Sequence, residues 1–326
     1  MNVRPATFTR IDDSALRGFV AAVFERSSVP PEQAAFLADL LVTNDLRGVF
    51  SHGTRQVTAY VGHFREGRLN PAPDVSVVSD SPATLVVNGD GGLGYFAAYR
   101  AAELLVPKAL ETGIAAAVTR NHGHIGAAGI YARVPLERGL FGYVTSGHQL
   151  KIKPEQTILH AAGGSPMAFA LPTGEEPPFV LDVGVMHDLY AGSKHVDEII
   201  ALAPGTVFRS LGLGAVCQAL GGFLAGVPLD PERDARQWPG ASQGSFQIVV
   251  DLARFFPLDA FKAEMDAYAR AVRQMKPLAG FEEACLAGTP EWESEREYRE
   301  EGIPVSPEHA EALRKLAGES GIDAPI

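Results

Sequence analysis

Cysteine is almost missing from this chain. Only Cys217 and Cys285 carry a thiol among 326 residues, and two isolated cysteines exclude both a disulfide framework and a cysteine-built metal site. Both sit in apolar settings, AVCQAL and EEACLAG, and read as core residues of a protein from a reducing compartment. Positive charge is also short: 28 Lys and Arg against 39 Asp and Glu leave a net charge of −11. That excludes nucleic acid as a main partner, because phosphate binding needs a concentrated basic face. It does not exclude a small anionic substrate, which one or two arginines can clamp. No apolar run approaches the roughly 20 residues that a membrane span requires. The opening MNVRPATFTRIDD has no apolar core of a secretion signal, and no internal repeat or low-complexity tract is present. A cytoplasmic protein that engages neither membrane nor nucleic acid is expected.

What is present is periodicity. Over residues 12–48, Leu16, Phe19, Val20, Val23 and Phe24 recur at one helical face, Pro30-Pro31 breaks the pattern, and Phe36, Leu37, Leu40 and Leu41 resume it. A third amphipathic stretch runs from Val57 to Phe64. From about residue 76 the texture changes to short β-rich runs, TLVVN, GIAAAVTR, LFGYVTS, MAFALP, PFVLDV and FQIVVDL, with helical stretches at 95–111, 126–138 and 207–226. Strands alternating with helices predict an α/β lobe. The spacing predicts one more amphipathic helix over 258–275 and a charged helical tail from 290.

Four segments could carry chemistry. His52 lies in FSHGTRQ, just past a helix end, with Arg47 and Arg55 close in sequence. An imidazole can move a proton to or from a substrate oxygen or nitrogen while an arginine holds a carboxylate; the alternative is a histidine that ties a loop to a helix end. RNHGHIGAAGIYA, residues 120–132, follows an apolar strand and opens a small-residue helix, where free N–H groups suit an anion or a cofactor carbonyl. Its His122 and His124 could instead be metal ligands, but no nearby Cys, Asp or Glu completes a set, so no metal is expected. GDGGLG, residues 89–94, has the G-x-G-x-x-G spacing of a dinucleotide turn. The next strand ends in Arg120-Asn121 rather than an acidic residue, so an ordinary turn competes with a phosphate site in which Arg120 meets a 2′-phosphate. Asp182 ends PPFVLD, where a carboxylate can orient a histidine or cap a turn.

Together these segments resemble the malate/L-lactate dehydrogenase family that is unrelated to the Rossmann lactate dehydrogenases and includes ureidoglycolate, sulfolactate and diketogulonate oxidoreductases and a cyclic imino acid reductase. The resemblance rests on DLRGVFSHG (45–53), NHGHIGAAGIYA (121–132), GGSPMAFALPTG (163–174), PPFVLD (177–182), LGLGAVCQALGGFLAGV (211–227) and LAGTPEWESEREYREEGIPV (286–305), in family order over nearly the whole chain. It implies the family's own non-Rossmann α/β fold. A helical substrate and dimer lobe would be built from residues 1–75 and 257–326, and an α/β nicotinamide-binding lobe from residues 76–256. It implies His52 as acid/base residue with Asp182 as partner, His124 as a second proton acceptor, and Arg47 and Arg55 on the substrate side. NAD or NADP would lie against His124, Ser165, Asp182, Val183, Gly184, Arg209 and Ser210, in a homodimer. The residues at 165, 183–186, 209–210 and 287 differ from the family pattern. A chain that kept His52 but lost the nicotinamide, and acts as a cofactor-free isomerase, lyase or binding protein, is the alternative.

Overall fold

Capping side chains at Asp12 and Ser306 and first-turn prolines open several of the helices, and the chain divides into two units. The computed structural model describes residues 3–189, 193–234 and 236–326. The first unit takes Met1–Pro73 and Cys285–Ile326, the second Asp74–Ala284. Strand β1 (Thr9–Ile11) leads to Asp12, whose carboxylate accepts from Ala15 N–H and caps α1 (Asp13–Glu25). Leu16, Phe19, Val20, Val23 and Phe24 are all buried, the face that the spacing predicts. Pro31 opens α2 (Pro31–Leu46), whose last turn buries two polar residues, Asn44 and Asp45, among leucines. Two short 3-10 turns, Phe50–His52 and Thr54–Gln56, then carry the chain into α3 (Val57–Arg65).

The second unit is an α/β layer. Its elements are β2 (Ser76–Asp80), β3 (Thr84–Asn88), α4 (Gly94–Thr112), β4 (Ile114–His122), α5 (Gly129–Arg133), β5 (Phe141–His148), β6 (Pro166–Leu171), β7 (Phe179–Gly184), α6 (Val196–Leu202), α7 (Pro204–Gln218), β8 (Gln243–Val250) and α8 (Leu258–Arg273). Seven strands form one sheet in the order β2-β3-β4-β8-β5-β6-β7. Only β3 and β4 run parallel, joined by α4 as the crossover; every other pair is antiparallel. Ala97, Ala101, Leu105 and Ala109 of α4 pack on Leu85, Val87, Ala115, Ala117 and Val249 of the sheet.

The chain then returns to the first unit through α9 (Thr289–Glu301), β9 (Ile303–Val305) and α10 (Pro307–Ser320). β9 pairs antiparallel with β1, with Thr9 opposite Val305. Among the described residues no single helix is long and apolar enough to cross a membrane.

The structure corrects the sequence reading at two points. The second unit ends at Ala284 rather than at 256, because α8 is tied to it: Asp266 accepts from the backbone N–H of Gly174, Glu175 and Glu176, and Arg270 and Arg273 pair with Glu176. Cys217 is buried but Cys285 is exposed, since EEACLAG lies in an irregular stretch between α8 and α9. The helix at 207–226 buries its small face and leaves large apolar side chains exposed. Gly214, Cys217, Gly221 and Gly222 face inward, whereas Phe208 is 69% exposed and Leu213 and Val216 are each 48% exposed.

The reason is backbone contact. After α7 a π-helical turn, Ala219–Phe223, lies directly on β5 and β8. A Cβ on Gly221 would stand 2.4 Å from the Ser146 carbonyl carbon, and one on Gly147 would stand 2.4 Å from Gly222 N. Only glycine lets the two chains approach this closely. Gly147→Ala should therefore destabilise the second unit by about 1–3 kcal/mol. Gly212→Ala, where a Cβ meets nothing within 4 Å, should instead stabilise α7 by up to about 1 kcal/mol. Thermal melting of the two variants beside the wild type checks both signs.

Candidate active site

The sequence 44–55 folds into a turn built around one carboxylate. Asp45, 1% exposed at the end of α2, accepts at Oδ2 from Thr54 N–H at 2.9 Å and from Thr54 Oγ1 at 2.5 Å. Its neighbour Asn44 donates through Nδ2 to the His52 carbonyl at 2.9 Å. Gly53 lies against the carboxylate so closely that a Cβ there would be 1.8 Å from Asp45 Oδ1. His52, at the start of this anchored stretch, is partly exposed, and its Nδ1 is 2.8 Å from Ser51 Oγ. Thr54 Oγ1 also lies 3.2 Å from His309 Nε2 of α10.

That hydroxyl has one proton and two partners. With Asp45 ionised, Thr54 donates to the carboxylate and His309 donates to Thr54. With Asp45 protonated, the acid donates to Thr54, which passes its own hydrogen on to His309. Burial raises the Asp45 carboxyl to about 7, against the lowering effect of its Thr54 bonds and of Arg55. Burial lowers His309 to about 4, and the Arg55 charge adds to the effect.

The two arginines are each engaged. Arg47 Nε donates to Glu295 Oε2 at 2.8 Å, with both side chains 21% exposed. Burial alone would raise the Glu295 carboxyl, but Arg47 and Arg299 outweigh it and hold it below the usual range. Arg55 is exposed; it reaches Ser306 Oγ, the cap of α10, at 3.5 Å and stands 6.0 Å from the Phe50 ring centre. The first unit thus gathers Arg47, His52 and Arg55 around one turn. Sequence reasoning passed over Asn44, Asp45, Thr54, Glu295 and His309. Two polar residues inside the apolar run LLVTNDL were a usable signal for the first two; His309, 255 residues from Thr54, left none.

The second unit carries the remaining candidates. In RNHGHIGAAGIYA, His122 is fully buried rather than available to a ligand. Its Nδ1 lies 2.8 Å from the Gly123 carbonyl, which can only accept, so Nε2 accepts from Thr119 Oγ1 at 2.7 Å, and Thr119 in turn meets Ser245 Oγ at 2.6 Å. Burial lowers this histidine to about 4, so the ring is neutral. The GDGGLG turn is shaped by the same ring. A Cβ on Gly89 or Gly94 would stand 2.7 or 2.6 Å from His122 atoms, and one on Gly91 2.0 Å from the Trp238 indole. Protein side chains fill the space a dinucleotide turn would leave open. Arg120 is exposed and lines a polar hollow of about 430 Å³ with Asp90, Asn121, Arg236 and Trp238.

His124 is partly exposed, and its carbonyl accepts from Gly94 N–H at 3.0 Å. Asp182, on the exposed strand β7 with Val183 and next to half-buried Gly184, accepts at Oδ2 from Gly129 N–H at 2.7 Å. Ser165 is 3% exposed; its hydroxyl donates to the Ala162 carbonyl, beneath Gly214 of α7. Arg209 is exposed on α7 and Ser210 half-buried beside it. A separate hollow of about 470 Å³ is bounded by His148, Lys151, His160, Gly163 and Gly164.

A family model described as malate/L-lactate dehydrogenase matches residues 11–186 and 193–314. The chain is 28% identical to the malate dehydrogenase of Pyrococcus horikoshii, over 97% of each chain. It is 26% identical to the L-sulfolactate dehydrogenase of Methanocaldococcus jannaschii, over 92% of this chain and 94% of that protein. Among solved structures, the Pyrococcus horikoshii malate dehydrogenase superposes with a TM-score of 0.85 at 27% identity, covering 99% of both chains. The Δ1-piperideine-2-carboxylate reductase of Pseudomonas syringae shares the fold, with a TM-score of 0.74 at 20% identity over 95% of this chain and 100% of that one.

The buried histidines set an acid limit on stability. A histidine lowered from 6.5 to about 4 stabilises the fold above 6.5 and loses that contribution as pH falls through 4, about 3 kcal/mol in full. In the first unit the raised Asp45 has the opposite sign: its contribution is complete below 3.8 and is lost as pH rises through about 7. It therefore offsets His309, and His122 in the second unit has no such offset among the described residues. The melting temperature should fall by at least a few degrees between pH 6.5 and 4.5, and His122→Gln should flatten that slope. An equal slope in the variant would contradict the assignment.

Proposed function

Because the chain belongs to the malate/L-lactate dehydrogenase family, we propose that it is a nicotinamide-dependent oxidoreductase. It reduces a small 2-oxo or imino carboxylate, or oxidises the matching 2-hydroxy acid, with His52 as proton donor and acceptor. The reading is carried by one observation: a partly exposed imidazole on a turn whose backbone is hydrogen-bonded at the His52 N–H, the His52 carbonyl and the Thr54 N–H. In the reductive direction the His52 imidazolium gives its proton to the substrate oxygen or nitrogen; in the oxidative direction the neutral ring takes it back. Glu295 occupies Arg47 Nε and fixes the guanidinium plane, which suits the terminal N–H groups of Arg47 to a bidentate carboxylate. Relatives named for malate and L-sulfolactate support a small acidic substrate.

A bound NAD or NADP would supply or accept the hydride at the substrate carbon. The second unit would hold it. The hollow of about 470 Å³ at Gly163 and Gly164, with Lys151 on its wall, has room for part of a dinucleotide. His124, Asp182, Val183, Gly184, Arg209 and Ser210 offer partly or fully exposed surface. Ser165 would act only through packing, since its hydroxyl is spent on Ala162. The same burial of Ser165, with Met186 also buried, favours the second reading, a cofactor-free isomerase or lyase that keeps His52. The exposed Phe208, Leu213 and Val216 support a homodimer, since apolar surface of this kind is commonly covered by a second copy.

Purified protein should oxidise NADH or NADPH in the presence of 2-oxo acids, and His52→Asn should lower kcat about 10²–10⁴-fold. Activity surviving within a few-fold in that variant removes the role of His52. A nucleotide at a hundredfold excess over its Kd should stabilise the protein by about 2.7 kcal/mol; no thermal response to either nucleotide favours the cofactor-free reading. Light scattering should return twice the chain mass of 34.7 kDa.

A further inference from the structure

Asp45 carries a cost that loop closure alone does not explain. A buried carboxyl is expensive unless its oxygens are satisfied, yet Oδ1 has no hydrogen-bond partner among the described residues. An amide or hydroxyl side chain could close the same turn without burying a charge. What distinguishes this carboxyl is where its contacts fall. Thr54 N–H and Oγ1 both bind Oδ2, the Gly53 Cα rests on Oδ1, and Asn44 beside it holds the His52 carbonyl. The main chain of residues 52, 53 and 54 is thus fixed from one spot, and the imidazole at the first of them is carried on that fixed main chain. Thr54 extends the contact to His309, so the turn is also joined to α10. Costly polar groups that break the usual rules of burial concentrate where function demands a fixed geometry.

We propose that Asp45, acting through Thr54, is the positioning residue of His52 and sets where its imidazole stands. This rests on the reading of His52 as the proton-transfer group, but its first test does not. Protein labelled with ¹³C at histidine Cε1 gives a signal for each ring, and the one lost in His52→Gln is that of His52. In Thr54→Val, which keeps the N–H and removes the hydroxyl, the His52 signal should shift or broaden while that of His122 in the other unit stays in place. Thr54→Ser, which returns the hydroxyl, should restore it.

In turnover with a 2-oxo acid, Thr54→Val should lower kcat on the order of 10²-fold, the loss that follows a misplacement of about 1 Å, with KM within threefold; Thr54→Ser should recover most of that loss. Asp45→Asn, which leaves one oxygen for the Thr54 donors, should move the His52 signal in the same sense and serves if Thr54→Val does not fold. A His52 signal unmoved in both variants overturns the proposal even where reductase activity is present. A signal that follows Thr54 in a protein without reductase activity upholds the positioning and removes the proton-transfer reading instead.

Discussion

The two hydrogen bonds from Thr54 into the Asp45 carboxylate close the turn that carries His52, and the local sequence of the first unit depends on them. They convert a helix end into a closed turn, and they do so in a place where water cannot substitute for either partner. Everything about the local sequence follows from that closure. Residue 53 must be glycine because the carboxylate occupies the position of a side chain. Residue 54 must supply both a main-chain and a side-chain donor, which threonine does. Asn44 must reach forward to the next carbonyl. The partly exposed ring of His52 then stands on a turn whose main chain is held from Asp45 and Asn44.

The second unit is organised by a neutral histidine instead of a carboxylate, but the logic is the same. His122 follows a register shift at the end of β4 and turns inward, where Thr119 and Gly123 satisfy both ring nitrogens. The glycines around it are small because the ring is there. A pattern that looks like a phosphate-binding turn thus owes its spacing to packing. The π-helical turn repeats the theme on the other face, where glycine meets glycine so that backbone can rest on backbone.

How much of this could be read beforehand depended on range. The helices α1, α2 and α4 were legible because each buries an apolar face, α8 because its apolar residues recur at helical spacing, and the strands β3 to β8 because each lies in a short β-rich run. The three-residue strands β1 and β9 were not, since their pairing is made by residues almost three hundred positions apart and three residues carry no period. β2 was missed because all five of its residues are exposed, so alternation had nothing to report. The inward face of α7 could not be read from its apolar pattern, because close backbone approach there favours small residues over large ones. At the site, His52, Arg47 and Asp182 stood out by residue type and setting. Thr54, Glu295 and His309 matter through contacts that only the folded chain makes.

Asp182 belongs to β7, the last strand of the seven-stranded sheet. A terminal strand presents a row of main-chain donors and acceptors that sheet pairing does not use, and Leu181 and Val183 leave apolar side chains exposed on either side of the aspartate. Such a strand invites a stranger to add itself, and a charge at its centre is the usual deterrent. Asp182 sets a charge between those two apolar side chains, and Gly129 N–H at the start of α5 holds its Oδ2. An incoming strand would therefore meet a charge at the middle of this edge instead of a continuous apolar row.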